Sequence, residues 1–310
     1  MNYHVPVLAK AAVEALVHNP NGTYVDVTFG GGGHAQLILD QLGPEGRLIA
    51  FDQDPDAEDQ AKRINDDRLL FIAANFRHIA RYLRLHRVKK IDGLLADLGV
   101  SSHQFDVPER GFSFRYDAPL DMRMSQDDAV PTAAQLLQEI DAEELQWVLG
   151  TYGEVRNART VAKAIVAERG TRTLKTTGDL LGLLDGYIRG NRPRYLAQVF
   201  QALRIAVNDE MGALEEMLAA AQEVMSPGGK LVVMSYHSGE DRLVKHVMRT
   251  GKPDGKHDAD DFGRIRRPWK VETRKPLEAD EDETRDNPRA RSARLRVAMR
   301  NFETDETEKH

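Results

Sequence analysis

The residues best suited to bind a ligand stand close together near the start of the chain. Residues 30–33 are four consecutive glycines, and Asp52 ends the next apolar run. Glycine has no Cβ, so this loop can turn sharply and bring its backbone against a ligand. An acid about twenty residues after such a loop is placed to hydrogen-bond a ribose diol. The pattern predicts a nucleoside-containing cofactor.

The glycine loop alone does not identify the cofactor. Gly30, Gly32 and Ala35 also satisfy the loose dinucleotide fingerprint, with Asp52 at the expected distance. A nicotinamide cofactor therefore stays open at this point. A merely flexible loop is the weaker alternative, because the glycines lie between a predicted strand and a predicted helix.

A second group of polar residues follows a later apolar run. Asp97 ends that run, and Gly99, Ser101 and Ser102 come directly after it. Hydride transfer usually needs a His or Lys acid/base at such a position, whereas a carboxylate and two hydroxyls accept hydrogen bonds from an amine. The group therefore favours N-methyl transfer. The alternative is a helix cap followed by a turn.

His237 follows another apolar run, at residues 230–236, so we expect it near the end of a strand. A lone histidine is more often packed or solvated than catalytic. Its position nevertheless makes it a candidate for removing a proton.

Two basic clusters are candidates for binding RNA. Arg110 and Arg115 alternate with phenylalanines, and Arg289, Arg291 and Arg294 lie near the end of the chain. Arginine and aromatic side chains together can hold phosphate and stack bases. The net charge of −6 argues weakly against nucleic acid, but local patches decide where a phosphate backbone docks. Taken alone, the first cluster fits a hydrophobic anchor with solvated charges better.

The elements that must position these residues follow an α/β pattern. Strands are predicted at residues 24–27, 47–51, 69–73 and 91–96, with helical stretches between them. Such alternation predicts a parallel sheet with covering helices. The carboxyl ends of parallel strands meet at one edge, so the glycine loop and both acids are expected to face one crevice.

The middle of the chain reads differently. No strand pattern is visible from about residue 107 to 198, where four helical segments are predicted at 132–139, 142–151, 158–168 and 177–188. A longer helix is predicted at 200–225, and strands return at 230–236, near 269–273 and at 292–299. Residues 251–288 are charged and predict a loop-like excursion.

The simplest domain organisation is a discontinuous α/β cofactor-binding domain of residues 1–106 and 200–310. A helical domain of residues 107–199, expected to recognise RNA, would be inserted into it.

The composition excludes several classes of site. The chain has 310 residues, 41% of them apolar, and no cysteine. Disulfides, thiolate metal sites and cysteine nucleophiles are therefore excluded. No signal peptide and no bilayer-length apolar stretch is visible. We expect a cytoplasmic protein with no membrane partner and no metal, and a homodimer stays open.

The chain closely resembles the bacterial small-subunit ribosomal RNA cytosine-N4 methyltransferase family (MraW/RsmH type). The resemblance covers nearly the whole chain. It is carried by the runs at residues 4–8, 26–34, 52–55, 97–102, 110–115, 119–124, 152–154, 200–208, 237–242 and 287–293.

The resemblance implies a Rossmann-like class I methyltransferase sheet with a helical insertion. It also implies S-adenosylmethionine as the methyl donor and a cytidine in the decoding region of 16S rRNA as the acceptor. The residues that it assigns to the cofactor are Gly32, Gly33, His34, Asp52, Phe76, Asp97 and Gln104.

Two departures from the family pattern are visible, and three alternative functions stay open. Gly239 stands where the family usually has Leu, and Arg192-Pro193-Arg194 replaces His-Pro-Ala. The alternatives are a nicotinamide-dependent oxidoreductase, a non-catalytic RNA-binding or ribosome-assembly factor, and a DNA amino-methyltransferase. The last usually carries a Pro-Pro-aromatic motif, which this chain lacks near Gly99.

Overall fold

The computed structural model describes residues 6–171, 173–259 and 265–302. The chain divides into two compact units. The first unit comprises Met1–Gly99 and Gly212–His310, and the second comprises Val100–Met211.

The first unit contains a seven-stranded sheet. Its strands, in chain order, are β1 (Thr23–Asp26), β2 (Arg47–Asp52), β3 (Leu69–Ala73), β4 (Ile91–Asp97), β5 (Met225–Ser235), β8 (Trp269–Val271) and β9 (Arg294–Arg300). A separate two-stranded sheet pairs β6 (Asp258–Ala259) with β7 (Ile265–Arg266). The order across the large sheet is β3-β2-β1-β4-β5-β9-β8.

The pairing of the strands brings several chain ends to one edge of the sheet. Strands β1 to β5 run parallel, whereas β9 runs antiparallel to both β5 and β8. The carboxyl ends of β1, β2, β4 and β5 therefore share one edge. Because Ser235 pairs with Arg294, the start of β9 lies at that edge as well. The predicted α/β sheet of the methyltransferase type is confirmed.

Three helices of the first unit lie between the strands as predicted: α2 (Gly33–Gln41), α3 (Pro55–Ala61) and α4 (Ile79–Leu85). The unit also contains α1 (Ala9–Leu16), which precedes β1, and α12 (Ser238–Thr250) and α13 (Glu281–Asp286). Residues of α1 and α2 pack against the sheet in one buried cluster that includes Leu16, Ile38, Leu48 and Leu95. This core fixes the strand ends that carry the candidate site.

The second unit is helical. It contains α5 (Ser102–Asp106), α6 (Ala133–Glu139), α7 (Ala142–Gly153), α8 (Ala158–Glu168), α9 (Thr177–Leu184) and α10 (Arg192–Asn208). Its core includes Leu120, Leu149, Val161 and Leu196. The capping box predicted from Thr176 and Asp179 begins α9.

The predicted helix at 200–225 is wrong as a single element. α10 ends at Asn208, and α11 (Glu210–Val224) begins after Asp209, whose backbone is left-handed with φ of 45°. The Asn208 side chain accepts a hydrogen bond from the Met124 N–H at 2.7 Å and donates to the Met122 carbonyl at 2.8 Å. These contacts hold the helix end in place.

Two further differences concern strands. The turn expected at residues 226–229 lies inside β5 as an irregularity, because Ile91 pairs with Met225 while Gly93 pairs with Lys230. The excursion expected at 251–288 contains β6, β7, β8 and α13 rather than only loop.

Candidate cofactor and acceptor site

The glycine loop joins β1 to α2 through two residues with positive φ. Gly30 and Gly32 have φ of 51° and 79°. A Cβ on Gly32 would lie 2.9 Å from Phe29 Cζ, so only glycine fits there without a shift. The Gly30 N–H donates to Asp52 Oδ2 at 2.8 Å, which ties the loop to the end of β2. Gly33, the first residue of α2, offers the helix N-terminus.

Three carboxylates end adjacent strands beside this loop: Asp26 on β1, Asp52 on β2 and Asp97 on β4. Burial raises the pKa of Asp26 and Asp52 to about 6 and that of Asp97 to about 7. Asp26 is buried, and its Oδ2 has no hydrogen-bond partner within the described ranges. The site therefore concentrates carboxyl groups whose charged forms are poorly solvated and would be stabilised by a cation.

His34 lies in α2 between two of these strand ends. Its Nδ1 is 3.8 Å from Asp97 Oδ2, and its Nε2 is 3.3 Å from the Val7 carbonyl oxygen. Burial lowers its pKa, although Asp26 opposes that shift. The imidazole is therefore neutral near pH 7 and does not cancel the charge of the acids.

Asp97 is held by a residue far away in the chain. The Tyr236 hydroxyl donates to Asp97 Oδ1 at 2.6 Å, and the Asp97 N–H donates to Thr28 Oγ1 at 2.7 Å. Gly99 lies beside the tyrosine ring, where a Cβ would make only ordinary contact with Tyr236 Cδ2 at 3.4 Å, and its φ of 98° is what favours glycine. Tyr236 follows β5, so two adjacent strand ends are joined by this hydrogen bond.

His237 caps α12. Its Nδ1 accepts a long hydrogen bond of 3.4 Å from the Glu240 N–H, and Glu240 Oε2 accepts from the Tyr236 and His237 N–H groups. An accepting Nδ1 places the proton of a neutral ring on Nε2. Nε2 lies 3.3 Å from Glu240 Oε1 and is buried. This arrangement favours a structural role over proton removal.

The two departures from the family pattern have local consequences. A Cβ on Gly239 would lie 3.1 Å from His237 Nδ1 and Cε1, so a larger residue would press on the cap. Arg192 and Pro193 begin α10, and the Asn191 side chain accepts from the Arg194 N–H at 3.0 Å.

The other residues predicted to bind cofactor lie in two places. Phe76 is half-buried in the short 3-10 turn after Asn75, whose side chain donates to Gln53 Oε1 at 3.0 Å. Gln104 belongs to the second unit. Its Oε1 accepts from the Ser101 N–H at 3.1 Å, and the Ser101 hydroxyl accepts from the Gln104 N–H at 3.2 Å.

Ser101 and Gln104 therefore form a capping box that begins α5. The sequence left open that this segment is a helix cap rather than part of a catalytic site. A helix cap is indeed present, and Ser101 rather than Asp97 forms it. Ser102 is the first residue of α5, and its side chain lies outside the described part of the structure.

The arginines predicted to bind RNA differ in what surrounds them. Arg110 donates to the carbonyls of Arg123 and Met124, both at 3.0 Å, so its side chain supports the fold of the second unit. Arg115, Arg289 and Arg291 are exposed.

Arg294 is half-buried, and its Nη1 lies 3.4 Å from Asp241 Oδ2. Asp241 also accepts a bidentate pair of hydrogen bonds from Arg296, at 2.7 and 3.1 Å.

The sequence analysis missed three residues of this site: Asp26, Tyr236 and Glu240. Asp26 ends the first strand and could have been found from the same rule that singled out Asp52 and Asp97. Glu240 stands three residues after His237, which is the local spacing of a capping box. Tyr236 carries no comparable local signal, because its partner Asp97 lies 139 positions earlier in the chain.

The described ranges contain no group of three His, Asp or Glu side chains that could hold a metal ion. In the same ranges, no helix is both long enough and apolar enough to cross a membrane.

The chemistry of the site fits S-adenosylmethionine better than a dinucleotide. That cofactor has a positively charged sulfur, an amino group and a ribose diol. The three acids offer countercharge to the sulfur and the amino group, and hydrogen-bond acceptors to the amino group and the diol. A dinucleotide would bring pyrophosphate charge to the same loop, beside Asp26 and Asp97, at an electrostatic cost. The unpaired Asp26 Oδ2 is consistent with an amine or hydroxyl donor in the crevice.

Comparison with known proteins adds independent information. A model of the MraW methylase family matches residues 1–301. Ribosomal RNA small subunit methyltransferase H of Cytophaga hutchinsonii is 53% identical over 300 residues, which are 96% of this chain and 99% of that protein. The protein of the same name from Bacteroides thetaiotaomicron is 49% identical over 299 residues, with 96% and 97% covered.

Solved structures overlap less closely. An rRNA methylase from Streptococcus thermophilus gives a TM-score of 0.40 at 12% identity, with 95% of this chain and 94% of that chain covered. TrmN from Thermus thermophilus gives 0.42 at 12% identity, with 94% and 48% covered. The sequence comparisons, and not these structural overlaps, decide the family.

Proposed function

Because the chain belongs to the MraW methylase family, we propose that it methylates the N4 amine of a cytidine in the decoding region of 16S rRNA. The coarser activity is that of the family: S-adenosylmethionine-dependent methylation of small-subunit ribosomal RNA. The modified cytidine, its N4 atom and its place in the decoding region are inferred from the resemblance of the sequence motifs to those of the family. With a ribosomal subunit as substrate, the reaction would take place in the cytoplasm.

The observation that carries the proposal is the crevice around the glycine loop, which one buried acid, Asp26, and two half-buried acids, Asp52 and Asp97, line. Asp26, Asp52 and Asp97 end three neighbouring strands, and His34 between them is neutral near pH 7. Such a site favours a cationic ligand that brings several N–H and O–H donors. It disfavours the nicotinamide alternative, whose phosphates would face these carboxylates.

The cofactor contacts follow from this arrangement. Asp52 would accept hydrogen bonds from the ribose diol, and the loop at Gly32 and Gly33 would let the backbone approach the methionine end. Asp97 would accept from the cofactor's polar groups while Tyr236 holds it in place. The family resemblance adds three more residues to the proposed cofactor contacts: His34, Phe76 and Gln104.

When bound, S-adenosylmethionine supplies a methyl group already activated on a positively charged sulfur. Methyl transfer would require the protein to hold the acceptor nitrogen beside that methyl group and to take up one proton from the nitrogen as the new N–C bond replaces the C–S bond. The protein contributes mainly by orientation, because nitrogen, carbon and sulfur must lie in line.

The acceptor amine needs help of a different kind, since its lone pair is delocalised into the cytosine ring. Acceptors beside its N–H groups would favour the nucleophilic form and stabilise the positive charge that develops there. We assign this role to Ser101, Ser102 and the backbone carbonyls of their loop. His237 is kept as the weaker candidate for receiving the proton, because its ring already caps α12.

RNA binding would use the arginine clusters. We assign phosphate contacts to Arg110, Arg115, Arg289, Arg291 and Arg294, with Arg110 acting partly through the loop that it supports. Neutralising phosphates releases counterions, so affinity should fall steeply as salt rises. An affinity that does not change between low and physiological salt would contradict this assignment.

The decisive experiment is methylation of isolated small subunits and of naked rRNA with labelled S-adenosylmethionine, followed by mapping of the modified base. We expect one N4-methylated cytidine in the decoding region. A methylated base elsewhere, or a different atom, would refute the finer assignment and leave the family activity standing. No transfer to either RNA would favour the non-catalytic assembly factor.

The acceptor side is tested with Ser101→Ala, Ser102→Ala and His237→Ala. Each should retain cofactor affinity while the serine variants lose methyl transfer. Wild-type rates in all three variants would refute the assignment of these groups.

A further inference from the structure

A cavity of about 310 Å³ opens beside Tyr236 in the first unit. It is lined by the residues that follow β5, by those that lead into β9, and by one acid: Tyr236, His237, Ser238, Glu278, Arg291, Ser292, Ala293 and Arg294. Its volume lies at the lower end of the range of small-molecule sites, roughly 300–1,000 Å³. The cavity thus has the size of a small ligand rather than of a macromolecular groove.

The position of this cavity follows from the strand order. The strands β2, β1, β4 and β5 are neighbours in this order across the sheet. Asp52 ends β2, the glycine loop follows β1, Asp97 ends β4, and the cavity lies after β5. Tyr236 is shared, because its ring lines the cavity while its hydroxyl donates to Asp97 at 2.6 Å. The cavity therefore adjoins the end of the cofactor site opposite the ribose-binding acid.

The charges in the cavity favour an anion. Arg291 is exposed and Arg294 is 43% exposed in its side chain. Asp241, the carboxylate nearest Arg294, is already matched by the bidentate hydrogen bonds of the buried Arg296. The positive charge of Arg294 is therefore only partly compensated by Asp241, and it can attract an anionic ligand. Glu278 is exposed on the lining and offers an acceptor for a hydroxyl or amine of the same ligand.

We infer that this cavity binds the acceptor nucleotide of the RNA, with Arg291 and Arg294 holding a phosphate next to the target base. A guanidinium pairs with phosphate through parallel N–H donors, which fixes the orientation of a nucleotide as well as its charge. The hydroxyls of Ser238 and Ser292 add donors at the same lining. This inference rests on the proposed function and names the part of the chain that receives the substrate.

The arginines near the end of the chain differ in whether they line the cavity. Arg291 and Arg294 line the cavity, whereas Arg285 is exposed on α13 and pairs with Asp282 at 2.9 Å. Arg291→Gln removes one cavity charge without breaking an ion pair to the fold that the described structure shows. Arg285→Gln removes the same charge from the same region and is the matched control.

The experiment measures methyl transfer to small subunits, with KM for the subunit and kcat determined separately, and cofactor affinity by calorimetry. Arg291→Gln should raise KM for the subunit about tenfold, the usual range for losing a charge-assisted hydrogen bond. Arg291→Lys should recover part of the loss, and Arg285→Gln should behave as wild type. Cofactor affinity should be unchanged in all three.

A direct probe uses cytidine 5′-monophosphate against uncharged cytidine, with binding followed by chemical shifts at the cavity residues. The nucleotide should bind more tightly than the nucleoside, and Arg291→Gln should reduce the difference, because only Arg294 then remains to hold the phosphate. If wild type methylates the subunit while Arg291→Gln and Arg285→Gln give equal KM values, the cavity assignment is overturned. If wild type methylates no cytidine, the proposed function itself fails.

Discussion

Replacing Tyr236 with Phe tests whether the hydrogen bond to Asp97 controls cofactor binding. The substitution removes one hydroxyl that donates to Asp97 Oδ1 at 2.6 Å and leaves the ring that faces Gly99. Burial raises the pKa of Asp97 to about 7, and the Tyr236 hydrogen bond opposes that rise by stabilising the carboxylate. Without the hydroxyl, the pKa of Asp97 should move further upward.

The size of the effect follows from the hydrogen bond. A bond to a charged group contributes about 1.5–3 kcal/mol, which corresponds to roughly 1–2 pKa units. In wild type about half of Asp97 is ionised near pH 7. In Tyr236→Phe only about 1–10% would be ionised. If the cofactor binds the carboxylate form, affinity near pH 7 should fall roughly 5- to 50-fold.

The sign of the pH dependence distinguishes this cause from general damage to the pocket. Affinity should rise with pH in both proteins, because the carboxylate binds and the acid does not. The rise should lie at higher pH in the variant, so that near pH 9 the two affinities differ by about twofold or less. Damage to packing would lower the affinity equally at every pH.

The assay is calorimetric titration with S-adenosylmethionine across this pH range. Tyr195→Phe is the matched control, because that buried tyrosine also donates one side-chain hydrogen bond, to Asn157 Oδ1 at 3.0 Å in the second unit. Equal affinities and superimposable pH profiles for Tyr236→Phe and wild type would refute the reasoning.

Three further predictions concern stability and the glycine loop. Gly32→Ala places a Cβ 2.9 Å from Phe29 Cζ at a φ of 79°, so both the melting temperature and the calorimetric affinity for cofactor should fall, and unchanged values would contradict the steric argument. Arg296→Leu leaves buried Asp241 with only its longer contact to Arg294 and should lower the unfolding free energy by about 1.5–3 kcal/mol in urea titrations, with partial recovery when Asp241 is also replaced by Leu. Because burial raises the folded-state pKa of Asp97 to about 7, the folded protein binds more protons than the unfolded chain above about pH 4, and the cofactor-free protein should lose stability as pH rises from there through 7. Asp97→Asn should flatten that thermal-melting profile, and a profile identical to wild type would exclude Asp97 as its cause.

Much of the sheet could be predicted because its signals are local. Three of the five parallel strands, β1, β2 and β4, are short apolar runs that end in an acid: Asp26, Asp52 and Asp97. The cap of α9 was equally local, since Thr176 and Asp179 form it within one turn of helix.

The end of α10 could not be predicted in this way. No glycine or proline marks Asp209, and the apolar pattern continues across it. The break is held by long-range polar contacts: Asn208 bonds to the backbone of Met122 and Met124, more than eighty positions earlier in the chain. The bidentate pair between Arg204 and Glu210 adds a second restraint across the break. Met122 and Met124 lie outside any local pattern, and the pair of Arg204 with Glu210, six positions apart, does not by itself predict a helix break.

The same limit applies to the site. Local signals identified the positions of the candidate residues, but they did not show which charged groups the fold brings together. The glycine loop and Asp52 fit a dinucleotide as well as S-adenosylmethionine when read along the chain. The difference arises only when β1 and β4 bring Asp26 and Asp97 beside that loop, where burial raises the pKa of both acids. A raised pKa means that the carboxylate forms are poorly solvated there, so a cation would stabilise them, whereas a pyrophosphate would oppose their ionisation. The identity of the cofactor therefore depends on which strand ends are neighbours, and strand order is a property of the fold.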